Sequence, residues 1–413
     1  MKKLLYILLS LLISFLGIFL LIWKYPLRYP PPQFESSPVR LDFNLEADRL
    51  VVKAEGAFFQ HLDGEVVIFR AFVPEPVLNL KLKLGEYKVK ISNVHPAAVL
   101  QGSGDGVRET RDQLSRHISI KSVGEGDITL RWRFPESSSY KFAAIGDTGE
   151  NDELAWVIER ANQLGVHFLL HLGDIYYDGN YQRAAKILKN APFPVYVALG
   201  NHDYLMKDGN PYQYFQRDLG PRNSWFSLGG IQFLNIDTAA DTIPWFGGER
   251  GNLLRDAPKV DSTGQAFKEV VAFTHRPIGL EEYSDHVVSR PAEANWLKKQ
   301  LLSRGVKSLL AGHLHETVTH EVDGLKIYVA GEGLGTRNLV GGWPMAQILI
   351  GSVNKGRMAL DWQPLNMPFN VQCSLRNRWI WEEEKNIYPA NREAMLSARK
   401  ECLSQEKKKK PNE

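Results

Sequence analysis

The chain has 413 residues, 44% of them hydrophobic and 23% charged, with a net charge of +3 at pH 7. That length allows about two or three domains, and the composition excludes wholesale disorder. The small net charge, part of it gathered in Lys407-Lys408-Lys409-Lys410, excludes a broad basic face for nucleic acid.

After a short basic end, residues 1–3, residues 4–23 run without a charge and are rich in Leu, Ile and Phe. As a helix they span about 30 Å, enough to cross a bilayer. The run closes on Ile22-Trp23-Lys24-Tyr25-Pro26 with no small-residue cleavage pattern. An uncleaved transmembrane anchor is favoured over a signal peptide. The membrane is then a partner, and the rest of the chain lies outside the cytoplasm, periplasmic or extracellular. Cleavage would make it secreted. Residues 24–34 hold Tyr29-Pro30-Pro31-Pro32, a stiff polyproline spacer.

Residues 35–138 read as a small β-sandwich. Runs such as Glu65-Val66-Val67-Ile68-Phe69 and Tyr87-Lys88-Val89-Lys90-Ile91 are short, rich in β-branched residues and punctuated by turn formers. From residue 139 the rhythm becomes strand, loop, helix, and it holds to about 365. Strands are expected over 140–145, 167–172, 194–199, 269–274, 307–311, 325–330 and 345–350. Helices are expected over 152–164, 181–189 and 294–303. This is α/β grammar. Residues 366–413 read as a tail packing on that domain through Trp379, Trp381 and a helix over 391–403. Cys373 and Cys402 lie there, and the sequence leaves open whether they pair.

Polar residues gather just beyond the strand ends, where open α/β sheets place their sites. They stand in Gly146-Asp147-Thr148-Gly149, Gly173-Asp174-Ile175-Tyr176-Tyr177, Gly200-Asn201-His202-Asp203, His275 and Gly312-His313-Leu314-His315. Each is weak alone. Together they offer the carboxylate, amide and imidazole donors that hard and borderline cations take. A pair of such cations about 3.5–4 Å apart can clamp both oxygens of a phosphoryl displacement.

This ordered set resembles the calcineurin-like metallophosphoesterase superfamily and, within it, the purple acid phosphatases. Most branches carry Asp-x-His in the first loop, and here the His position is Gly149. Tyr177 in Gly-Asp-x-x-Tyr replaces it, which is the purple acid phosphatase arrangement. The resemblance implies a metallophosphoesterase-type α/β sandwich, βαβαβ units around two sheets, behind the β-sandwich and the N-terminal helix. It implies that Asp147, Asp174, Tyr177 and His315 hold Fe(III), suited to a phenolate donor. Asn201, His275 and His313 would hold a second divalent metal (Fe, Zn or Mn), with Asp174 bridging. His202 and His286 would face a phosphate-ester substrate as catalytic residues. His171 is read as structural, and Asp203 as orienting its loop. Glu316-Thr317 stand where relatives have an aromatic and an arginine, which leaves substrate preference open. The implied reaction is hydrolysis of phosphate monoesters. The alternatives are a phosphodiesterase, or a nucleotide- or lipid-directed phosphoesterase, on the same centre. More remote is a non-catalytic surface binding protein.

Overall fold

Alternating burial builds the first domain. In this computed structural model the described residues are 14, 39–41, 50–102, 104–176, 180–203, 213–239, 248–261, 263–279, 288, 290–331, 339–340, 343–344, 346–373 and 392–409. The stretch expected to cross a membrane, 4–23, lies outside them apart from Ser14. So do the linker 24–34, Tyr177, His286, Trp379 and Trp381. Among the described residues no helix is long and apolar enough to span a bilayer.

The first ten strands are β1 (Val39–Leu41), β2 (Leu50–Glu55), β3 (Ala57–Asp63), β4 (Val66–Ala71), β5 (Val77–Leu82), β6 (Gly85–Ser92), β7 (Val99–Gln101), β8 (Val107–Asp112), β9 (Ser115–Ser122) and β10 (Gly126–Arg133). They form two five-stranded sheets, in the orders β1-β2-β5-β10-β7 and β3-β4-β6-β9-β8. On β6, Tyr87, Val89 and Ile91 are buried, while Glu86 and Lys88 are exposed. That period of two puts one face inward. The inward set packs with Leu50, Leu80, Leu130 and Trp132 of the facing sheet. These strands, between Val39 and Arg133, make a two-sheet β-sandwich.

The second domain has two more sheets. One contains β11 (Ser139–Ile145), β12 (Phe168–His171), β13 (Val195–Val197), β22 (Gln347–Asn354) and β23 (Arg357–Pro364), in the order β13-β12-β11-β22-β23. The other contains β14 (Ser224–Leu228), β15 (Ile231–Asn235), β16 (Glu269–Phe273), β17 (Val306–Ala311), β18 (Thr317–Val322) and β19 (Leu325–Ala330), in the order β14-β15-β16-β17-β19-β18. A two-stranded ribbon, β20 (Leu339–Val340) and β21 (Trp343–Pro344), stands apart. Strands β11, β12 and β13 run parallel, as do β15, β16, β17 and β19. Antiparallel strands close the other edges, β22 and β23 in the first sheet and β14 and β18 in the second.

The two sheets face each other across an aromatic core. Phe142 stacks on Phe168 at 5.5 Å, Phe226 on Phe233 at 4.7 Å, and Phe142 meets Phe233 edge-on at 5.3 Å. Helices cover the outer faces. α1 (Asp152–Gln163) and α2 (Tyr181–Lys189) bury Leu154, Val157, Ala184 and Leu188 on the first sheet. α3 (Gln213–Asp218) adds Phe215 to that core. α4 (Glu249–Asp256) and α5 (Pro291–Ser303) bury Leu254, Leu297 and Leu301 on the second. The buried Arg250–Glu293 ion pair, 2.5 Å, joins these last two helices. Helix–sheet–sheet–helix layering results.

The tail is tied down as well. Leu365, Met367 and Val371 enter the core under α1, and α6 (Arg392–Lys409) runs longer than the expected helix. Cys373 and Cys402 form a disulfide with their Cα atoms 5.6 Å apart.

Candidate metal centre

The observed strands β11, β12, β13, β16 and β17 end within two residues of the expected ends, and those ends meet. All five deliver their loops to one crevice between the two sheets. Hydrogen bonds across the crevice fix this. The His313 backbone N–H donates to both Asp147 oxygens, at 3.0 and 2.8 Å. His275 Nδ1 lies 2.8 Å from the Leu172 carbonyl. That bond places a proton on Nδ1 and turns Nε2 to the crevice, where the neutral ring would offer its lone pair, the usual support for an imidazole ligand.

Chain conformation at these loops is unusual. Asp147, Asp174, His313 and His315 have φ of 66°, 56°, 71° and 52°, the left-handed region that residues with a Cβ seldom occupy. Each costs of order 1 kcal/mol or more and persists only where its surroundings dictate it. Glycines let the loops interpenetrate. A Cβ on Gly173, itself at φ 94°, would stand 2.6 Å from His275 Nδ1, and one on Gly312 would stand 2.6 Å from Asp147 Oδ2. Gly331, just beyond β19, has the same constraint, 2.7 Å from the His315 nitrogen, and had no signal in the sequence reading.

The donors form two groups that share one carboxylate. Asp174, His275 and His313 offer atoms all within 4.8 Å of one another, and so do Asp147, Asp174 and His315. Asn201 Oδ1 lies 2.8 Å from His275 Nε2, which is 3.4 Å from Asp174 Oδ2 and 3.1 Å from His313 Nδ1. His315 Nε2 is 3.5 Å from Asp147 Oδ1. Asp147, Asp174 and His275 are fully buried. Lone pairs of oxygen and nitrogen thus crowd together with few protons between them, which a cation relieves. The electrostatics agree. Burial alone would lower the His275 pKa, yet the Asp174 and Asp147 carboxylates outweigh it and raise it to about 9. The crevice calls for positive charge. Burial and the neighbouring His275 and Arg276 hold His313 well below its usual value, so it is a neutral donor.

The structure therefore gathers Asp147, Asp174, Asn201, His275, His313 and His315 at one place. His202 lies in the same loop as Asn201 but is exposed, and its backbone N–H donates to Asp174 Oδ1 at 2.8 Å. Tyr177 and His286 lie outside the described residues. His171 is buried, with Nε2 2.9 Å from Thr148 Oγ1, the structural setting expected of it.

Asp203 does more than its sequence position announces. Its buried carboxylate accepts four backbone N–H groups: Gly200 at 2.7 Å, Asp174 at 2.9 Å, Ile175 at 2.8 Å and Tyr176 at 2.9 Å. It thus pins the second loop to the third. Burial and the Asp174 charge raise its pKa, and the N–H donors oppose that rise. The signal was present in the motif, but nothing in a linear sequence shows which amides a side chain will reach.

Residues 140–317 match the calcineurin-like phosphoesterase family. Among solved structures the chain is similar to GAP50, the anchor in the inner membrane complex of Plasmodium, with 15% identity, 55% of this chain and 85% of that chain covered, and a TM-score of 0.42. It is similar to purple acid phosphatase PPD1 from yellow lupin (Lupinus luteus) seeds, with 14% identity, 71% and 70% covered, and a TM-score of 0.45. It is similar to a dimetal phosphatase from Danio rerio, with 15% identity, 55% and 96% covered, and a TM-score of 0.35. No curated protein sequence matches the chain. The ordered donors lie inside the matched span: residues 140–317 carry a calcineurin-like phosphoesterase domain, which makes the chain a hydrolase.

Proposed function

We propose that this domain is a binuclear-metal phosphoesterase that hydrolyses phosphate monoesters in the manner of the purple acid phosphatases. The carrying observation is the pair of donor groups hinged on Asp174. In this reading Asp147, Asp174, Tyr177 and His315 hold Fe(III). Asn201, His275 and His313 would hold a divalent metal, with Asp174 common to both donor groups. The carboxylate, imidazole and amide donors fit both ions. When bound, the metals would supply Lewis acidity toward phosphoryl oxygen and acidify water near neutral pH.

The chain's own residues do the rest. The four N–H groups on Asp203 keep Asp174 and Asn201 in register before a substrate arrives. The Leu172 carbonyl orients the His275 ring. His202, at the exposed rim, neutralises charge on the phosphate or gives a proton to the leaving oxygen. His286 is proposed as a second substrate-facing histidine. Residues 4–23 are proposed to hold the enzyme at a membrane with its catalytic domain outside the cytoplasm. The Cys373–Cys402 disulfide supports an oxidising compartment.

Elemental analysis and a visible spectrum of the purified protein test this, with a panel of monoesters and diesters. Two metals per chain including iron, a phenolate-to-iron absorption band and faster monoester turnover are expected. A colourless protein with full metal would remove Tyr177 as an iron ligand, and a diester preference would overturn the substrate class. His202→Ala should keep both metals and lose turnover by about 10²–10⁴-fold. Metal loss in that variant would mean that His202 is a ligand.

A further inference from the structure

At the amino ends of β15, β16 and β17 the catalytic domain has a second recess, of about 210 Å³. Glu269 opens β16 and Val306 opens β17, while His275 and His313 stand just past the opposite ends of the same strands. At roughly 3.3 Å per residue the two places lie roughly 15–20 Å apart. The recess is too small for a drug-sized ligand, which takes roughly 300–1,000 Å³. It is large for one or two waters, at roughly 30 Å³ each.

Four cations line it, Lys259, Lys268, Arg304 and Lys307, against one carboxylate, Glu269; four positive charges less one negative leave +3. Glu269 is engaged, its Oε1 accepting the Met358 N–H at 3.0 Å. The carboxylates closest to Lys259 in sequence are engaged too. Asp256 pairs with Arg255 at 2.8 Å, and Asp261 accepts the Thr263 and Gln265 N–H groups at 2.9 and 3.0 Å. Arg304, just past α5, is the fixed member. Its Nη atoms donate to the Leu254, Ala257 and Pro258 carbonyls at 3.2, 2.7 and 3.0 Å. Those bonds lock the guanidinium plane but bring it no negative charge. Its Nε is buried and without a hydrogen-bond partner among the described residues. Lys268 Nζ is anchored on the Lys355 carbonyl at 2.9 Å. Lys259 and Lys307 are exposed and form no ion pair among the described residues.

Like charges gathered around one cleft repel, and low-dielectric walls focus their field. An anion relieves that repulsion. Ammonium groups supply compact positive charge and three donors each, and a guanidinium adds a donor of fixed direction, a set that matches the several oxygens of a phosphate. Phe267 and Val270 form an apolar wall beside the cations. At Gly305 the lining is open, since a Cβ there would meet nothing within 4 Å. We infer that this recess is a second binding site, for a phosphate dianion, free or carried on a small organic group, at the end of the catalytic domain opposite the metal donors. The apolar wall is where an organic group would lie. The site stands whether or not the metal assignments hold.

The test is isothermal titration of the full chain with inorganic phosphate and, separately, with phenylphosphonate. The comparison is the double variant Lys259→Glu, Lys307→Glu. It changes two exposed side chains far from the metal crevice, so metal content and monoester turnover should match wild type. Wild type should show a binding event that the double variant loses or weakens at least about tenfold, because two reversed charges then face a dianion. Tighter binding of phenylphosphonate assigns the site to an ester, and tighter binding of inorganic phosphate assigns it to the free ion. Tungstate soaked into wild-type crystals should give an anomalous peak beside Arg304 and Lys307, apart from any peak at the metal donors. That arm keeps the test decisive should the variant not fold. Identical titrations of wild type and variant, or tungstate confined to the metal crevice, would each overturn the site.

Discussion

Replacing Asp203 by alanine tests whether one carboxylate holds the crevice together. It would strip the acceptor from four backbone N–H groups at 2.7–2.9 Å, beside a side chain 1% exposed. A buried donor left unsatisfied costs about 1–3 kcal/mol. A water entering the vacated space can recover about two of the four bonds. The expected loss is therefore about 2–6 kcal/mol, readable by denaturant unfolding. Asp203→Asn should not rescue it despite its matching shape, because its NH2 group would point a donor at amides that are donors themselves. Both variants should also bind metal about 10–100-fold more weakly, as supporting partners of ligands generally do. Titration of the purified variants with metal measures that directly. An alanine variant within about 1 kcal/mol of wild type, with unchanged metal affinity, would refute the claim that Asp203 registers the two loops.

Gly200→Ala should abolish metal binding while the domain stays folded, because a Cβ there runs into Asp174; metal stoichiometry at an unchanged circular dichroism spectrum is the check. Reducing Cys373–Cys402, 29 residues apart, should lower stability by about 3–4 kcal/mol, measured by unfolding with and without reductant. His95 gives a pH dependence. Burial, with His167 and Arg116 nearby, lowers its pKa from 6.5 to about 4, and its Nδ1 accepts the Ala97 N–H at 3.2 Å. The unfolded chain therefore binds the extra proton between these values, and stability rises from pH 4 to 6.5 and is level above. The slope should not exceed about 1.4 kcal/mol per pH unit, and His95→Gln should flatten it. Proton NMR of the His95 ring reads the same pKa directly.

What the sequence disclosed follows from which forces are local. Tyr181–Lys189 and Leu325–Ala330 have the expected bounds, because periodicity and turn residues decide them within a few positions. The hairpin of β14 and β15 and the strands β18 and β23 went unread. Ser224–Leu228 and Thr317–Val322 are short edge segments whose character comes from pairing with distant partners. The candidate metal donors were legible because each follows a strand end, all but His275 in a glycine-marked loop. Glu150, buried and accepting the Asn180 N–H at 2.9 Å, and Gly331, forced small by His315, carry no such mark. Their roles exist only once strands far apart in sequence have been laid side by side.

The same distinction explains the role of the β-sandwich. Strand β13 is the edge of its sheet, and an edge presents unpaired backbone groups. Asn93, at φ 62° and 2% exposed, fills that place from the first domain. Its Oδ1 accepts the Val195 N–H at 3.0 Å, and its Nδ2 donates to Val195 O at 3.0 Å and to Ala71 O at 2.8 Å. One side-chain amide thus imitates a neighbouring strand. Leu114, in the turn between β8 and β9, is buried in the catalytic core beside Phe193 and Val195. Gly200-Asn201-His202-Asp203 follows this clamped strand within a few residues, so the brace on Val195 sets where the third loop starts. Detaching the sandwich would orphan the Val195 N–H and C=O and uncover Phe58, Phe72 and Val73, which pack with Phe168 and Tyr196. The first domain is therefore part of the scaffold that aims Asn201 and His202.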